Sequence, residues 1–479
     1  MNDSRRNFLK SILGAAAGAA LISDTVAEPA SFKRVKGLDK MTTVKRPNII
    51  YINSHDTGRF TSPYGHRAAT PNLHQLAMDG VCFTQAHCAA PTCSPSRASL
   101  VTGQCPHSNG MLGLAHRGFA LKNYGHHLLH TLRKEAGYNT HLIGLQHIAR
   151  DKTIIGYDSI SETVSNHVKD VAPAAISYLK NYSNSAPFYL EIGFQETHRE
   201  FIKATKDDDS RYTENPSPLP NVKEVRDDLA DFNATLRVLD KGVGDILAAL
   251  DEQGLAENTL IISTTDHGIA FPMMKCNLYD TGTGIHLVMR GPGGFFGGKV
   301  CDALISQIDI FPTLCDLLEI PNPEWLEGKS FLPIIKGKPE AINNEIFAEV
   351  NFHASYEPVR ALRTSKWKYI SRFGDNLNQV FPNCDDSPSK LYWLKNGWAN
   401  HKHLPEELYD LTFDPNERNN LVSDSKYFSI LSDMRARLKS WMVKTNDPLL
   451  NGPIKPPKGV AITPADKLSP TDKAFIYEG

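Results

Sequence analysis

Histidines and carboxylates follow four apolar segments of this 479-residue chain. The four groups are His55 with Asp56, Gln146 with His147, Glu196 with His198 and Arg199, and Asp266 with His267. Ligands of open parallel sheets bind beyond the carboxyl ends of the strands, so four such groups indicate one shared pocket. Any single group would be read as capping or surface residues. Together, the two aspartates and several imidazoles suit a divalent metal ion.

A cysteine and an arginine stand close together in the segment CAAPTCSPSRASLVTG, residues 88–103. A cysteine-dependent phosphatase needs Cys-x5-Arg, whereas Arg97 is only four positions after Cys93. A cysteine protease would leave the metal-like groups unexplained. A disulfide from Cys93 to Cys88 or Cys105 is the structural alternative. The residues alone leave Cys93 open as a nucleophile, a metal ligand, a disulfide partner or a packing residue.

The elements that must position these groups alternate along the chain. Apolar runs predict strands over 48–53, 140–144, 187–194 and 260–264. Amphipathic runs predict helices over 71–80, 126–137, 227–254 and 308–318, the third broken near Gly242. This alternation predicts an α/β fold with a large mixed, mostly parallel sheet sandwiched by helices.

The pattern changes after about residue 345. Short strands are predicted over 346–350 and 367–370, with one helix over 429–443, and the tail from Pro453 is expected to wrap the surface. We therefore expect a catalytic domain over 47–340 and a smaller C-terminal α+β subdomain over 341–479.

Composition excludes several partners. A net charge of -1 with 41% hydrophobic residues gives no reason to expect nucleic acid or an anionic membrane. No apolar run of about 18 residues follows the N-terminal segment, so we expect no membrane span in the mature protein.

The N-terminus resembles a bacterial twin-arginine export signal. Paired arginines, Arg5 and Arg6, precede Phe8, Leu9 and Lys10, and small and apolar residues continue to about Ala27. We expect a signal peptide over 1–27, a linker over 28–46, the twin-arginine translocase as a partner, and a periplasmic or secreted protein. An ordinary secretion signal or a short amphipathic helix is the alternative.

The run from Cys93 to Gly103 closely resembles the signature of the type I, formylglycine-dependent sulfatases of the alkaline phosphatase superfamily. The resemblance covers most of residues 47–445. It includes Thr70-Pro71-Asn72-Leu73, Asp266-His267-Gly268, Asp309-x-x-Pro312-Thr313 and Glu407 to Leu411. It is strongest to the heparan N-sulfatase (sulfamidase) branch, through His107 to Met111, Phe271-Pro272 and Asn277 to Tyr279.

The resemblance implies a fold, a cofactor set and a function. It implies an alkaline phosphatase-like fold, and oxidation of Cys93 to formylglycine (3-oxoalanine) by a formylglycine-generating or sulfatase-maturating enzyme. It implies one Ca²⁺ per chain, with another divalent metal left open. The implied function is hydrolysis of sulfate esters, or N-sulfate, of a polysaccharide or its oligosaccharides, such as ulvan or heparan-type glycans.

The resemblance also implies roles for single residues. The catalytic set is Cys93 as formylglycine nucleophile, Arg97 steadying its hydroxyl, His147 assisting it, His198 as the acid on the leaving group, and Lys275 binding sulfate. The metal set is Asp56, Asp266, His267 and Cys93, with His55 as a further candidate. Gln146, Arg199, Arg59 and His116 are expected to contact substrate.

Two positions depart from the family pattern. Leu145 stands where a catalytic lysine is usual, so Gln146 is expected to cover part of its role. His55 stands where the first aspartate is usual, and calcium prefers oxygen ligands, so His55 lies behind the metal site or the site takes a softer metal. The alternatives are a phosphonate monoester or phosphodiester hydrolase of the same superfamily, and a degenerate glycan-binding protein that lacks the lysine.

Overall fold

The computed structural model describes residues 46–183, 185–338 and 342–479. The predicted signal peptide and the predicted linker up to residue 45 lie outside the described residues. The strands are β1 Asn48–Ser54, β2 Val81–Phe83, β3 Ala86–His87, β4 Asn139–Gly144, β5 Ser159–Ser161, β6 Phe188–Gly193, β7 Thr259–Thr265, β8 Leu287–Arg290, β9 Lys299–Cys301, β10 Ile305–Ser306, β11 Ile346–Phe352, β12 Tyr356–Arg363, β13 Trp367–Arg372, β14 Glu406–Asp410, β15 Ala461–Ile462 and β16 Phe475–Ile476. The α-helices are α1 Pro71–Asp79, α2 Cys93–Thr102, α3 Pro106–Asn109, α4 Leu128–Ala136, α5 Val168–Asn181, α6 Lys223–Glu252, α7 Asp280–Thr283, α8 Ile310–Leu318, α9 Leu332–Ile335, α10 Pro388–Lys395 and α11 Phe428–Lys444.

Eight strands form the central sheet in the order β5-β4-β6-β1-β7-β8-β2-β9. Only β8 pairs antiparallel with its neighbours, which confirms the predicted mixed, mostly parallel sheet. Every residue of β1 and β7 is buried, as expected for parallel strands covered on both faces. Ile49 and Tyr51 of β1 belong to a core cluster with Leu100, Leu129 and Leu314 of three helices. Because successive side chains alternate, Ile50 and Ile52 face the opposite side of the sheet.

The long helix is continuous where a break was predicted. Helix α6 runs unbroken past Gly242, so the expected break is wrong. A Cβ at Gly242 would lie 2.4 Å from Cγ1 of Val168 on α5. The glycine therefore allows α5 and α6 to pack closely rather than ending a helix.

The C-terminal part forms a separate antiparallel sheet in the order β11-β12-β13-β14, confirming the predicted change of pattern. Its inward residues Leu362 and Leu408 belong to the same core cluster as Ile49 of the central sheet. The tail is anchored more firmly than expected, because Val460 and Thr463 are completely buried. Among the described residues, no helix is long and apolar enough to cross a bilayer.

Candidate active site

Four neighbouring strands deliver the polar groups predicted from the sequence. In the sheet, β4, β6, β1 and β7 are adjacent and parallel, so their carboxyl ends lie on one edge. His55 directly follows β1, and Asp266 directly follows β7. The loop after β4 carries His147, and the loop after β6 carries His198. The structure thus brings these four side chains together at one edge of the sheet.

Cys93 is the first residue of α2, and every residue of that helix is buried. Its Sγ lies 3.4 Å from Nε2 of His267 and 3.9 Å from Oδ1 of Asp56. All eight cysteines are free, so the disulfide alternative for Cys93 is wrong. Burial raises the pKa of the Cys93 thiol well above its usual value. The unmodified side chain is therefore a neutral thiol, a weak nucleophile.

The donor atoms around Cys93 suit a divalent cation. One ligand atom each from His55, Asp56, Cys93 and Asp266 lie within 4.8 Å of one another. Nε2 of His55 is 3.6 Å from Oδ1 of Asp56 and 3.6 Å from Oδ2 of Asp266. Neither ring nitrogen of His55 has a hydrogen-bond partner, although both are buried. Burial lowers the pKa of His55 well below its usual value, so the ring is neutral and can act as a ligand.

His267 places a second imidazole next to the carboxylate of Asp56. Its Nδ1 lies 2.9 Å from the carbonyl oxygen of Gly268, so Nδ1–H donates there. Its Nε2 lies 3.3 Å from Oδ1 of Asp56 and is left free to act as an acceptor or ligand. The sequence left open whether His55 lies among the metal-ligand candidates or behind them. In the structure it lies among them, with Asp56, Cys93 and Asp266.

Arg97 holds a carboxylate in place. Its Nε donates to Oδ2 of Asp266 at 3.0 Å, and its Nη2 donates to the carbonyl oxygen of Ser54 at 3.1 Å. Burial opposes ionisation of Asp266, but His267 and Arg97 outweigh it and lower the pKa of Asp266 to about 2. The structure therefore directs Arg97 to Asp266, whereas its predicted partner was the formylglycine hydroxyl.

Lys275 joins three groups of the site. Its buried Nζ donates to Oδ2 of Asp56 at 2.7 Å, and it lies 3.5 Å from Nε2 of His198. It also forms an ion pair with Oδ2 of Asp385 at 2.9 Å. Asp385 was missed by the sequence analysis, because it stands in an irregular loop between β13 and α10 and follows no strand of the central sheet.

His198 is partly exposed, with 27% of its side chain accessible to solvent. Its Nδ1 lies 2.6 Å from the carbonyl oxygen of Arg199, so Nδ1–H donates and Nε2 points toward Lys275. The ring centroids of His198 and His55 are 4.4 Å apart. This position suits a group that meets the leaving part of a substrate.

His147 and His116 form a hydrogen-bonded pair. Nδ1 of His116 lies 3.0 Å from Nε2 of His147, and the rings are stacked 5.3 Å apart. Nδ1 of His147 is buried without a partner, and a ligand atom of His147 clusters within 4.8 Å of those of Cys93 and His55. Burial lowers the pKa of His147 well below its usual value, so a neutral ring can accept a proton next to Cys93.

Three side chains that were predicted to contact substrate form hydrogen bonds or ion pairs within the protein. Oε1 of Gln146 accepts from the backbone N–H groups of residues 148 and 149, and its Nε2 donates to the carbonyl of residue 149. Arg199 forms a bidentate ion pair with Asp228 at 2.7 and 2.9 Å. Arg59 donates to the carbonyl of Ala86 and contacts Nε2 of His87. Gln146, Arg199 and Arg59 therefore each have partners within the protein, and their contacts with substrate stay predictions.

Comparisons with known proteins identify the family. Residues 47–320 match the sulfatase family model, so the chain belongs to the sulfatase family and is a sulfuric ester hydrolase. Residues 271–396 match the model of the N-sulphoglucosamine sulphohydrolase C-terminal domain, which confirms the branch predicted from the sequence.

Curated relatives and solved structures are similar over most of the chain. An ulvan-active sulfatase of Formosa agariphila is 29% identical over 442 residues, covering 88% of this chain and 86% of that protein. Human N-sulphoglucosamine sulphohydrolase is 28% identical over 466 residues, covering 85% and 92%. The solved structure of a protein in complex with its substrate, D-glucosamine-2-N,6-O-disulfate, is similar to this one with a TM-score of 0.65 at 19% identity. The match covers 85% of this chain and 99% of that one. That last likeness shows a shared fold.

Proposed function

We propose that this protein is an exported bacterial sulfatase that removes sulfate, as an ester or an N-sulfate, from a sulfated polysaccharide or its oligosaccharides. The proposal gives the reaction to a formylglycine formed at position 93 by a maturating enzyme, with a divalent metal. The observation that carries it is the placement of Cys93 within 4 Å of both Asp56 and His267, beside two histidines with unpartnered nitrogens.

The metal would be held by His55, Asp56, Asp266 and His267. A bound divalent cation supplies Lewis-acid stabilisation for the charge that develops on sulfate oxygens. Calcium is the ion that the family resemblance implies. The unpartnered Nε2 of His55, 3.6 Å from both carboxylates, favours a softer ion such as Zn²⁺.

Metal analysis of the purified protein separates these ions. His55→Asp exchanges an imidazole for a carboxylate, so we expect calcium affinity to rise and Zn²⁺ affinity to fall, each by tenfold or more. Isothermal titration with each ion measures both, with exposed His74→Asp as the matched control. Unchanged affinities in His55→Asp would remove His55 from the metal site.

The other side chains divide the work of the reaction. A hydrated aldehyde at 93 supplies two hydroxyl groups, one to take the sulfate and one to release it. Nδ1 of His147 would accept the hydroxyl proton, and the hydrogen bond between His116 and His147 supports this orientation of the ring. Lys275 supplies positive charge to the sulfate, a contribution typically worth about 3 kcal/mol. His198, in its protonated form, gives a proton to the leaving oxygen or nitrogen from its exposed side.

The mass of the peptide that contains residue 93 tests the modification. Conversion of cysteine to formylglycine makes that peptide about 18 Da lighter. We expect the lighter peptide in protein from a host with a maturating enzyme, and loss of sulfate release in Cys93→Ala but not in Cys301→Ala. Unmodified cysteine in active protein would contradict the mechanism.

Sulfate release from a panel of defined glycans tests the substrate. Ulvan and heparan-type oligosaccharides are the first choices, because the relatives named above act on ulvan and on N-sulphoglucosamine by their descriptions. Faster turnover of phenylphosphonate than of every sulfated compound would favour the phosphonate hydrolase instead. Binding without release, unchanged in Cys93→Ala, would favour the degenerate glycan-binding protein.

We propose export through the twin-arginine route for residues 1–27. The pair Arg5 and Arg6 before Phe8 supports this proposal. Replacing both arginines by lysine is expected to retain the protein in the cytoplasm, as measured by fractionation of the bacterial host. Continued export of that variant would favour an ordinary secretion signal.

A further inference from the structure

A surface cavity of about 490 Å³ lies beside the C-terminal sheet, among residues that the catalytic cluster does not use. Its walls include five aromatic side chains, Tyr279, Tyr392, Trp393, Trp398 and Tyr409. A cavity of this size lies within the range of small-molecule binding sites in proteins.

The aromatic walls are held in fixed positions. The rings of Trp393 and Trp398 meet edge to face, 5.2 Å apart at 71°. The hydroxyl groups of Tyr279 and Tyr409 both donate to Oε2 of Glu407, at 2.8 and 2.7 Å. Fixed aromatic faces suit the apolar C–H face of a sugar ring, which they can cover at little cost in side-chain entropy.

The polar groups of the cavity favour an anionic ligand. Lys402 and Arg418 line it, both are exposed, and neither forms an ion pair with another described residue. Glu407 is the one carboxylate among the described lining residues, and Arg372 and two tyrosines already occupy its oxygens.

The segments that line the cavity also supply the active site. Met273 stands in its wall, two positions before Lys275 of the cluster. Helix α10, which carries Tyr392 and Trp393, begins at Pro388, three residues after Asp385. The cavity and the cluster around Cys93 are therefore built in part from the same two segments of the chain.

We infer that this cavity binds an anionic sugar unit, carrying a sulfate or a uronate, in the same glycan chain whose sulfate is removed at position 93. The aromatic rings take the face of the sugar, and Lys402 and Arg418 take its charge. This inference rests on the proposed function, because it assigns the cavity to the substrate of that reaction.

Binding measurements in an inactive background test it. Isothermal titration of Cys93→Ala uses a heparin hexasaccharide, a sulfated ulvan hexasaccharide and the monosaccharide glucosamine-2-N,6-O-disulfate. Adding Lys402→Ala and Arg418→Ala is expected to lower the affinity for the better-binding hexasaccharide tenfold or more. The affinity for the monosaccharide is expected to fall less than twofold. The matched control adds Lys439→Ala and Lys458→Ala, two exposed lysines outside the cavity, and is expected to bind like the parent.

A second variant removes part of the aromatic wall. Trp393→Ala is expected to weaken binding of the same hexasaccharide threefold or more, because the indole ring that would cover a sugar face is lost. Equal affinities in all variants, an equal loss for the monosaccharide, or no hexasaccharide binding at all would overturn the inference.

Failure of the inference can be told apart from failure of the proposed function. Unchanged hexasaccharide binding in the cavity variants, with sulfate release intact in the wild-type protein, overturns only the cavity assignment. Cavity-dependent binding in a wild-type protein that releases no sulfate from any glycan overturns the proposed reaction and supports the cavity as a glycan site.

Discussion

At the scale of single residues, the histidines around Cys93 hold distinct positions. His147 has a buried, unpartnered Nδ1 near Cys93, while His198 is partly exposed next to Lys275. His116 is joined to the cluster by its hydrogen bond to His147. Replacing each of these three histidines is therefore expected to lower the rate of sulfate release by a different factor.

Replacing His147 by alanine is expected to lower kcat about 10²-fold, the usual scale for a lost acid or base. His116→Ala is expected to lower it less, because that ring positions His147 rather than meeting the reacting atoms. Initial rates on one defined sulfated oligosaccharide measure both, with exposed His74→Ala as control. An unchanged rate in His147→Ala would remove it from the reaction.

Asp385 is expected to position Lys275. Burial opposes the charge on Lys275, but Asp385 and Asp56 outweigh it and raise the pKa of Lys275 well above its usual value. Without the Asp385 carboxylate, Lys275 keeps Asp56 as its anionic partner and is drawn toward that proposed metal ligand.

Asp385→Asn is therefore expected to lower kcat/KM about tenfold, as for the loss of one charge-assisted contact. Asp385→Glu should recover part of the loss, and a merely structural role would not predict this recovery. Asp386→Asn, at the exposed neighbouring position, serves as the comparison. Equal rates in Asp385→Asn and the wild-type protein would contradict the role.

At the scale of elements, the ends of β4 and β6 set the position of the loop that carries His147. The backbone N–H of Leu145 donates to the carbonyl of Gly193 at 2.9 Å. A Cβ at Gly193 would lie 1.7 Å from the carbonyl oxygen of Leu145, so any larger residue must move backbone. The close contact between the two strand ends therefore needs glycine.

Gly193→Ala is expected to displace residues 145–147 and reduce sulfate release about 10²-fold, the usual scale for misplacing a reacting group by about 1 Å. Circular dichroism and thermal unfolding, measured beside the rate, separate a displaced loop from a failure to fold. A folded variant with wild-type activity would show that the loop does not depend on this contact.

At the scale of the whole molecule, a buried ionic network joins the C-terminal sheet to α3. Glu349 of β11 accepts from the backbone N–H of His107 at 2.6 Å and contacts its Nδ1 at 2.5 Å. Arg360 contacts Glu349 at 3.2 Å and donates to Asp447 at 2.6 Å. The network lies between parts of the chain that the sequence analysis assigned to different domains.

This network predicts a loss of stability in acid. Burial opposes ionisation of Glu349, but Arg360 and His107 outweigh it and lower its pKa to about 2, from 4.5 in the unfolded chain. The group therefore adds stability above pH 4.5 that is lost as the pH falls toward 2, on the order of 3 kcal/mol.

Thermal unfolding of Glu349→Gln at several pH values checks this prediction. We expect the wild-type protein to exceed the variant in midpoint temperature at pH 6, and the difference to shrink as the pH falls below 4.5. The exposed substitution Glu257→Gln should show no such change. A difference independent of pH would assign the effect of Glu349 to packing alone.

The sequence by itself determined the strands, their polar ends and the resemblance of the Cys93 segment to the sulfatase signature. Alternating apolar runs set β1, β4, β6 and β7, and the side chains that directly follow a strand must emerge at its carboxyl end. That local constraint is why His55, Asp266, His147 and His198 were found together as predicted.

Only the tertiary structure decided which partners the longer side chains contact. It also decided which residue of the C-terminal part, Asp385, contributes to the site. The side chains of Arg199, Arg59 and Gln146 are long and flexible, so each could contact several different groups. In the structure they form hydrogen bonds with Asp228, with the carbonyl of Ala86 and with the loop backbone, respectively. Asp385 reaches Lys275 across 110 positions of sequence. Such contacts depend on how distant segments pack against each other, and the spacing of residues along the sequence does not predict that packing.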